Sequence, residues 1–386
     1  MKSWSRGRVL LGIDELKSKI AGKRIALMMN TSALDHDGNL LIDRIVQDWK
    51  ADVAFLFGME HGVRGNLMAA DSSLAAVDEV TGLPIVNLYK YPKLAPPPEE
   101  IAKVDAVVFS AQDVGIRHWT YTPWMLSLMD SAAKVGKEVI VVDRPNPIRG
   151  DIVSGNCTET EYECSHLLNG FGYPLRHGMT IGEIALMYNE VRSINCRLTV
   201  CEMSGYRRDM WYQETGLPWL PPSPNIPTAD SPLYFGATGL LQASNVSFGR
   251  GTTTPFQYFG APWMDGDRVA KILNGYDLPG VFCVPKFYLA QLKTNTELCN
   301  GVMLVISDRN VFDSSTTQLY IMDTLCQEYP GQFRLVENGD LGFVRMGTKK
   351  ILDAAENGRS LLTFVDEWKN QSEAFKTERK DYLIYD

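Results

Sequence analysis

Four apolar runs in the first 150 residues each end at a cluster of polar side chains capable of chemistry. Residues 24–30 (RIALMMN) run into Thr31 and Ser32, and residues 53–59 (VAFLFGM) into Glu60, His61 and Gly62. Residues 104–111 (VDAVVFSA) run into Gln112 and Asp113, and residues 139–142 (VIVV) into Asp143, Arg144, Pro145 and Asn146. Short runs rich in Val, Ile and Phe, separated by longer amphipathic segments, read as strands of a parallel sheet buried on both faces. Ligands of such sheets sit beyond the carboxyl ends of the strands. The edge that gathers carboxylates, an imidazole and amides is therefore the expected active site.

The segments between the runs support this. Residues 41–50 and 124–136 space their apolar positions as helices do, and residues 180–192 open with Thr180 and Glu183 in a capping-box arrangement before a further strand, CRLTVCEM. The β-α-β rhythm predicts an α/β protein with a Rossmann-like parallel sheet. No GxGxxG follows the first strand, so a dinucleotide site is unsupported. From 205 to 265 the texture shifts to Gly, Pro, Trp and Asn, as in long functional loops. Beyond it a helix at 267–274, strands near 280–289 and 301–308, and a helix near 316–329 suggest a second, smaller α/β or α+β domain. A chain of 386 residues exceeds what one core usually serves. The division expected is 1–235 for a Rossmann-like catalytic domain and 236–386 for a smaller domain closing the substrate cleft.

A formal net charge of −8 argues against a nonspecific nucleic-acid binder. No segment has the apolar length of a membrane span, and the first 24 residues lack a signal-peptide core, so the chain as written reads as cytoplasmic. Seven scattered cysteines (157, 164, 196, 201, 283, 299 and 326) without a CxxC pair suit reduced thiols. The histidines, His36, His61, His118, His166 and His177, show no HExxH or other close ligand spacing, and neither a P-loop nor a GxSxG elbow occurs. No metal or organic cofactor is expected.

The segments FGMEHGVRG, QDVGIRHWTY, DRPNPIRG, RHGMTIGE, RRDMWYQETGLPWLPPSPNIPT and GRGTTTPFQYFGAPW, in this order, resemble the exo-β-N-acetylmuramidase (NamZ-type) glycoside hydrolase family. The resemblance runs from about residue 8 to the C-terminus. It implies a cleft between the two domains and removal of N-acetylmuramic acid from the non-reducing end of peptidoglycan fragments. The partner would be a small carbohydrate, a muropeptide or disaccharide fragment, in cell-wall recycling, with no nucleic acid and no membrane. The chain departs from the family pattern at Ser110, Gln242, Phe248 and Gln257, where acidic residues are common. Two alternatives stay open: a glycosidase of this fold acting on another amino sugar, and a noncatalytic muropeptide- or sugar-binding protein.

Hydrolysis through an oxocarbenium-like transition state needs an acid for the departing oxygen and a base or nucleophile opposite. Glu60, at a strand end, is the first candidate for the acid, with His61 beside it as a further catalytic candidate, against a cap on the next helix or a structural pairing with Arg64. Asp113 is the natural second carboxylate, against a plain ion pair with Arg117. Tyr121 could serve as donor or nucleophile, and the sugar's own 2-acetamido oxygen could attack instead. A forked guanidinium suits the lactyl carboxylate. Arg250, flanked by Gly249 and Gly251 and followed by Thr252, is the first choice, then Arg144, with Arg64 and Arg117 also in family-like segments. His177, Asn225 and Asn245 are further binding candidates. Trp211, Trp219, Tyr234 and Trp263 offer faces for sugars, or buried area at interfaces.

Overall fold

A computed structural model describes residues 8–67, 71–73, 75–91, 94–163, 170–292, 295–335 and 345–386. Cys164 and His166 lie outside them. The apolar runs form β1 (Arg24–Met29), β2 (Asp52–Gly58), β4 (Ala106–Ser110) and β5 (Glu138–Val142). A short β3 (Ile85–Asn87) follows β2 in sequence. A small antiparallel pair, β6 (Ser154–Cys157) and β7 (Pro174–Arg176), precedes β8 (Arg197–Cys201). The main sheet is parallel throughout in the order β3-β2-β1-β4-β5-β8. That is the Rossmann-like order, and it reverses direction between β1 and β4, where the crevice of such sheets opens.

Both faces of this sheet are buried, which explains why its strands read as continuous apolar runs. Ala26, Met28, Phe57, Val107 and Phe109 face one core, and Ile25, Leu27, Met29, Leu56 and Val108 the other. The first of these cores continues without a break into the second domain, through Phe259, Val302, Leu304, Leu319 and Met322. There an antiparallel sheet of β9 (Tyr258–Ala261), β10 (Val281–Leu292) and β11 (Asn295–Ile306) runs in the order β10-β11-β9, against helix Gly266–Gly275, on which helix Ser314–Glu328 packs in turn.

The capping box at Thr180 is present, with Glu183 N–H on the Thr180 hydroxyl and Thr180 N–H on the Glu183 carboxylate. The helix expected over 41–50 begins as Leu41–Asp43 and widens to π-type hydrogen bonding over Arg44–Asp48. The stretch 205–265 is not all loop: Ser231–Thr238 is a helix buried on nearly every side, and its even burial removes the periodicity that would announce it. The six described cysteines are all unpaired. Among the described residues no helix is long and apolar enough to cross a membrane.

Candidate active site

Glu60 is placed by a strained turn. After β2, Gly62 N–H donates to Met59 O (2.9 Å), while His61 and Gly62 both take left-handed backbone, φ 66° and 70°. Such a conformation at a non-glycine residue costs roughly 1–3 kcal/mol and persists only under external anchors. Two anchors are visible. His61 Nδ1 lies 3.0 Å from Leu67 O. Arg64 grips both oxygens of Asp78 at 2.7 Å and both of Asp43 at 2.9 and 3.2 Å. These bonds hold the Asp78 carboxyl at about 2. Arg64, expected to meet substrate, is instead committed to two of the protein's own carboxylates, and His61 braces the turn that presents Glu60.

Glu60 itself is half-buried, within electrostatic reach of Tyr89, Tyr121, Arg250 and Arg345. Tyr121 opens the helix Tyr121–Lys134 and is fully buried. Its hydroxyl accepts from Asn30 Nδ2 at the end of β1 and donates to Pro222 O at 2.5 Å, and burial raises its pKa well above the usual phenol value. A phenol with its proton so engaged is a poor nucleophile. The geometry gives Tyr121 a positioning task, tying the sheet edge to the loop that carries Asn225. The Asn225 side chain is half-buried and makes no hydrogen bond among the described residues, so it remains available.

Asp113 is more committed than its sequence context suggests. Its carboxylate accepts from Gly115 N (2.6 Å) and Thr122 Oγ1 (3.0 Å) and lies 3.3 Å from His177 Nε2. His177 Nδ1 accepts from Met179 N (3.2 Å), which leaves the ring proton on Nε2, toward Asp113. Gly115 is required here: its φ is 78°, and a Cβ would stand 2.6 Å from Asn146 Oδ1. Both Asp113 and His177 are buried. They brace the loop after β4, and their expected roles as second carboxylate and sugar contact are not favoured by this geometry.

The other cationic candidates divide sharply. Arg117 does not pair with Asp113; it is fully buried and donates to backbone carbonyls of Asn156, Tyr173 (3.3 Å), Arg345 (3.4 Å) and Met346 (2.9 Å). Arg144 donates to Ser110 Oγ (3.1 Å) and Leu34 O (2.7 Å), and burial pushes it down to about 10. Both are scaffold. Asn245 holds Gln332 O (2.8 Å) and Arg334 N (2.9 Å), and the Thr252 hydroxyl donates to Gly249 O (2.7 Å) within its own turn, so neither presents a free group to a sugar. Arg250 alone keeps its head uncommitted: it lies over the Phe248 ring (5.4 Å), and its buried Nε has no partner among the described residues. Of the aromatics, Trp211 is buried against Arg309 and Asn310, Trp219 packs on Tyr212, and Trp263 on Tyr329.

Sequence reasoning missed Tyr89 and Arg345. Tyr89 follows the three-residue β3, too short to show periodicity, and rests edge-on against Trp124 (6.1 Å). Arg345 carries no local motif; only the chain's tertiary course brings it to Glu60. Among the described residues no group of three or more His, Cys, Asp or Glu side chains could hold a metal ion.

A buried network lies beyond β5. Asp143 accepts from Arg144 N, Thr180 Oγ1, Gly182 N and the Tyr385 hydroxyl at 2.7–2.9 Å, so the C-terminal tail is fastened to the sheet. Burial, then the neighbouring Glu183, push Asp143 up to about 7 from 3.8. A carboxyl raised on folding contributes stability below its unfolded value that is lost as pH rises through its folded one. The melting temperature of Asp143→Asn relative to the wild type should therefore climb between pH 4 and 7; a difference constant with pH would contradict this.

A Rossmann-like parallel sheet, a smaller antiparallel domain, and a half-buried carboxylate at a strand end within electrostatic reach of guanidinium and phenol groups define an α/β protein with a polar, charged site at its sheet edge. The chain belongs to the exo-β-N-acetylmuramidase NamZ family: the model of the N-terminal domain matches residues 25–230 and that of the C-terminal domain residues 233–385. It is 37% identical over 383 residues to the peptidoglycan β-N-acetylmuramidase NamZ of Bacillus subtilis (strain 168), covering 98% of this chain and 92% of that protein. Two crystal structures of DUF1343 family proteins from Bacteroides fragilis NCTC 9343 are similar in fold. One superposes with a TM-score of 0.88 at 32% identity, covering 99% of this chain and 100% of that one. The other gives 0.74 at 29%, covering 98% and 99%.

Proposed function

We propose that this protein is an exo-acting glycoside hydrolase releasing N-acetylmuramic acid from the non-reducing end of peptidoglycan fragments, with Glu60 as general acid. The observation that carries the reading is Glu60 at the carboxyl end of β2, with the uncommitted Arg250 beside it. Glu60 gives its proton to the glycosidic oxygen as the C1–O bond breaks, and the departing sugar leaves as an alcohol. With Asp113 and Tyr121 held by the scaffold, the sugar's 2-acetamido oxygen is the nucleophile we favour: it closes on C1, and water then opens the ring to give N-acetylmuramic acid. Asn225, whose amide makes no hydrogen bond among the described residues, is the group we assign to orient the acetamido group. Arg250 takes the lactyl carboxylate. Muropeptide or disaccharide fragments would be the substrates, and the setting intracellular cell-wall recycling.

Ser110, Gln242 and Gln257, standing where the family pattern is commonly acidic, each make internal hydrogen bonds, to Arg144, Gly239 O and Leu304 O. Their roles here are structural, which favours catalysis through Glu60 over a binding protein that lost its machinery. The test is digestion of the disaccharide N-acetylmuramyl-N-acetylglucosamine, followed by mass analysis. Both monosaccharides should appear; intact disaccharide after long incubation with folded protein would refute the activity.

A further inference from the structure

Two cations lie within electrostatic reach of Glu60, and among the described residues neither forms an ion pair. Arg250 stands on a turn flanked by Gly249 and Gly251, both at positive φ, with its Nε buried and unpartnered. Arg345 is half-buried, and its guanidinium makes no hydrogen bond or ion pair among the described residues. Each lies within electrostatic reach of the other and of Glu60. Shielded cations without acceptors are costly, and two like charges in one cleft add repulsion. When Glu60 carries the proton a general acid must hold, two positive charges remain there without a compensating carboxylate from Glu60. The missing partner is an anion with at least two acceptor oxygens.

The backbone that delivers Arg345 is fixed from the other domain. Arg117, from the loop after β4, donates to the carbonyls of Arg345 (3.4 Å) and Met346 (2.9 Å). Asn156 Nδ2 also donates to Met346 O (2.7 Å), and Glu159 N to Gly347 O (2.8 Å). Gly347 has φ 70°, and a Cβ there would come within 3.0 Å of the Arg117 guanidinium. Burial of a guanidinium largely to read backbone carbonyls, with the Asn156 side chain at 3.4 Å beside them, is a heavy commitment, and its result is a fixed placement of residue 345.

We propose that Arg345 is a specificity-determining residue: with Arg250 it forms a two-guanidinium clamp for the carboxylate of the substrate's terminal sugar, and Arg117 is the positioning residue that holds it there. The inference rests on the muramidase reading and deepens it. A carboxylate offers one oxygen to each guanidinium, whereas N-acetylglucosamine lacks the group and would leave both cations unpaired.

Calorimetric titration of N-acetylmuramic acid, its methyl ester and N-acetylglucosamine tests this without requiring turnover. The wild type should prefer the free acid, with the ester binding no better than N-acetylglucosamine. Arg345→Ala should weaken the acid by roughly tenfold to hundredfold and leave the other two unchanged, with Arg345→Lys recovering part of the loss. Arg117→Lys should lower affinity for the acid alone; an equal loss for all three sugars would reduce Arg117 to a structural residue. The clamp is overturned if folded Arg345→Ala binds N-acetylmuramic acid as the wild type does, or if the wild type fails to distinguish the acid from its ester. Selective binding without hydrolysis of the disaccharide would instead overturn the proposed activity and leave the clamp standing.

Discussion

Glu60→Gln lowers kcat on the disaccharide by roughly two to four orders of magnitude, the range general acid catalysis supplies, while the circular dichroism spectrum stays that of the wild type. The substitution keeps shape and hydrogen-bonding volume but removes the proton that the leaving oxygen needs. The loss should depend on the leaving group. A p-nitrophenolate departs largely unaided, whereas a sugar alkoxide does not, so a chromogenic aryl muramide should lose less activity than the disaccharide. Equal losses on the two substrates would point to a role in binding. Turnover near the wild-type level on both would remove Glu60 as the acid.

Arg208→Ala has the largest expected effect on stability, with no direct contact to the cleft. Glu183 is fully buried, held by two nitrogens of Arg208, by Thr180 N (2.9 Å) and by Ile384 N (2.9 Å). Arg208 also fastens the tail through Tyr385 O (3.0 Å) and Asp386 O (2.8 Å). Removing one partner of a buried pair leaves an uncompensated charge and costs about 3–5 kcal/mol. The urea midpoint should fall accordingly. The double variant Arg208→Met with Glu183→Leu should recover most of the loss, because no charge is then stranded. A single variant as stable as the wild type would show that Glu183 finds another partner or a proton.

The sheet was legible because its strands are buried on both faces and announce themselves as apolar runs; the end of each run marked where side chains would gather. The place of Glu60 just past a strand end could be read this way because it depends on one strand. The arginines could not be sorted by the same signal. Arg64, Arg117, Arg144 and Arg250 all sit in Gly- or Pro-rich segments, and only the fold shows that the first three are consumed by Asp78, by backbone carbonyls and by Ser110. Arg345 was invisible for the opposite reason. Its segment has no periodicity or motif, and its place beside Glu60 comes from a contact with Arg117 across 228 residues of chain. The helix Ser231–Thr238 was hidden by uniform burial, and β3 by its three-residue length.

The most direct test of the central claim is release of p-nitrophenol by the purified wild-type protein from p-nitrophenyl β-N-acetylmuramide beside its β-N-acetylglucosaminide counterpart. A carboxylate-reading muramidase predicts steady release from the muramide and little or none from the glucosaminide. Comparable release from both, or none from the muramide, would contradict it.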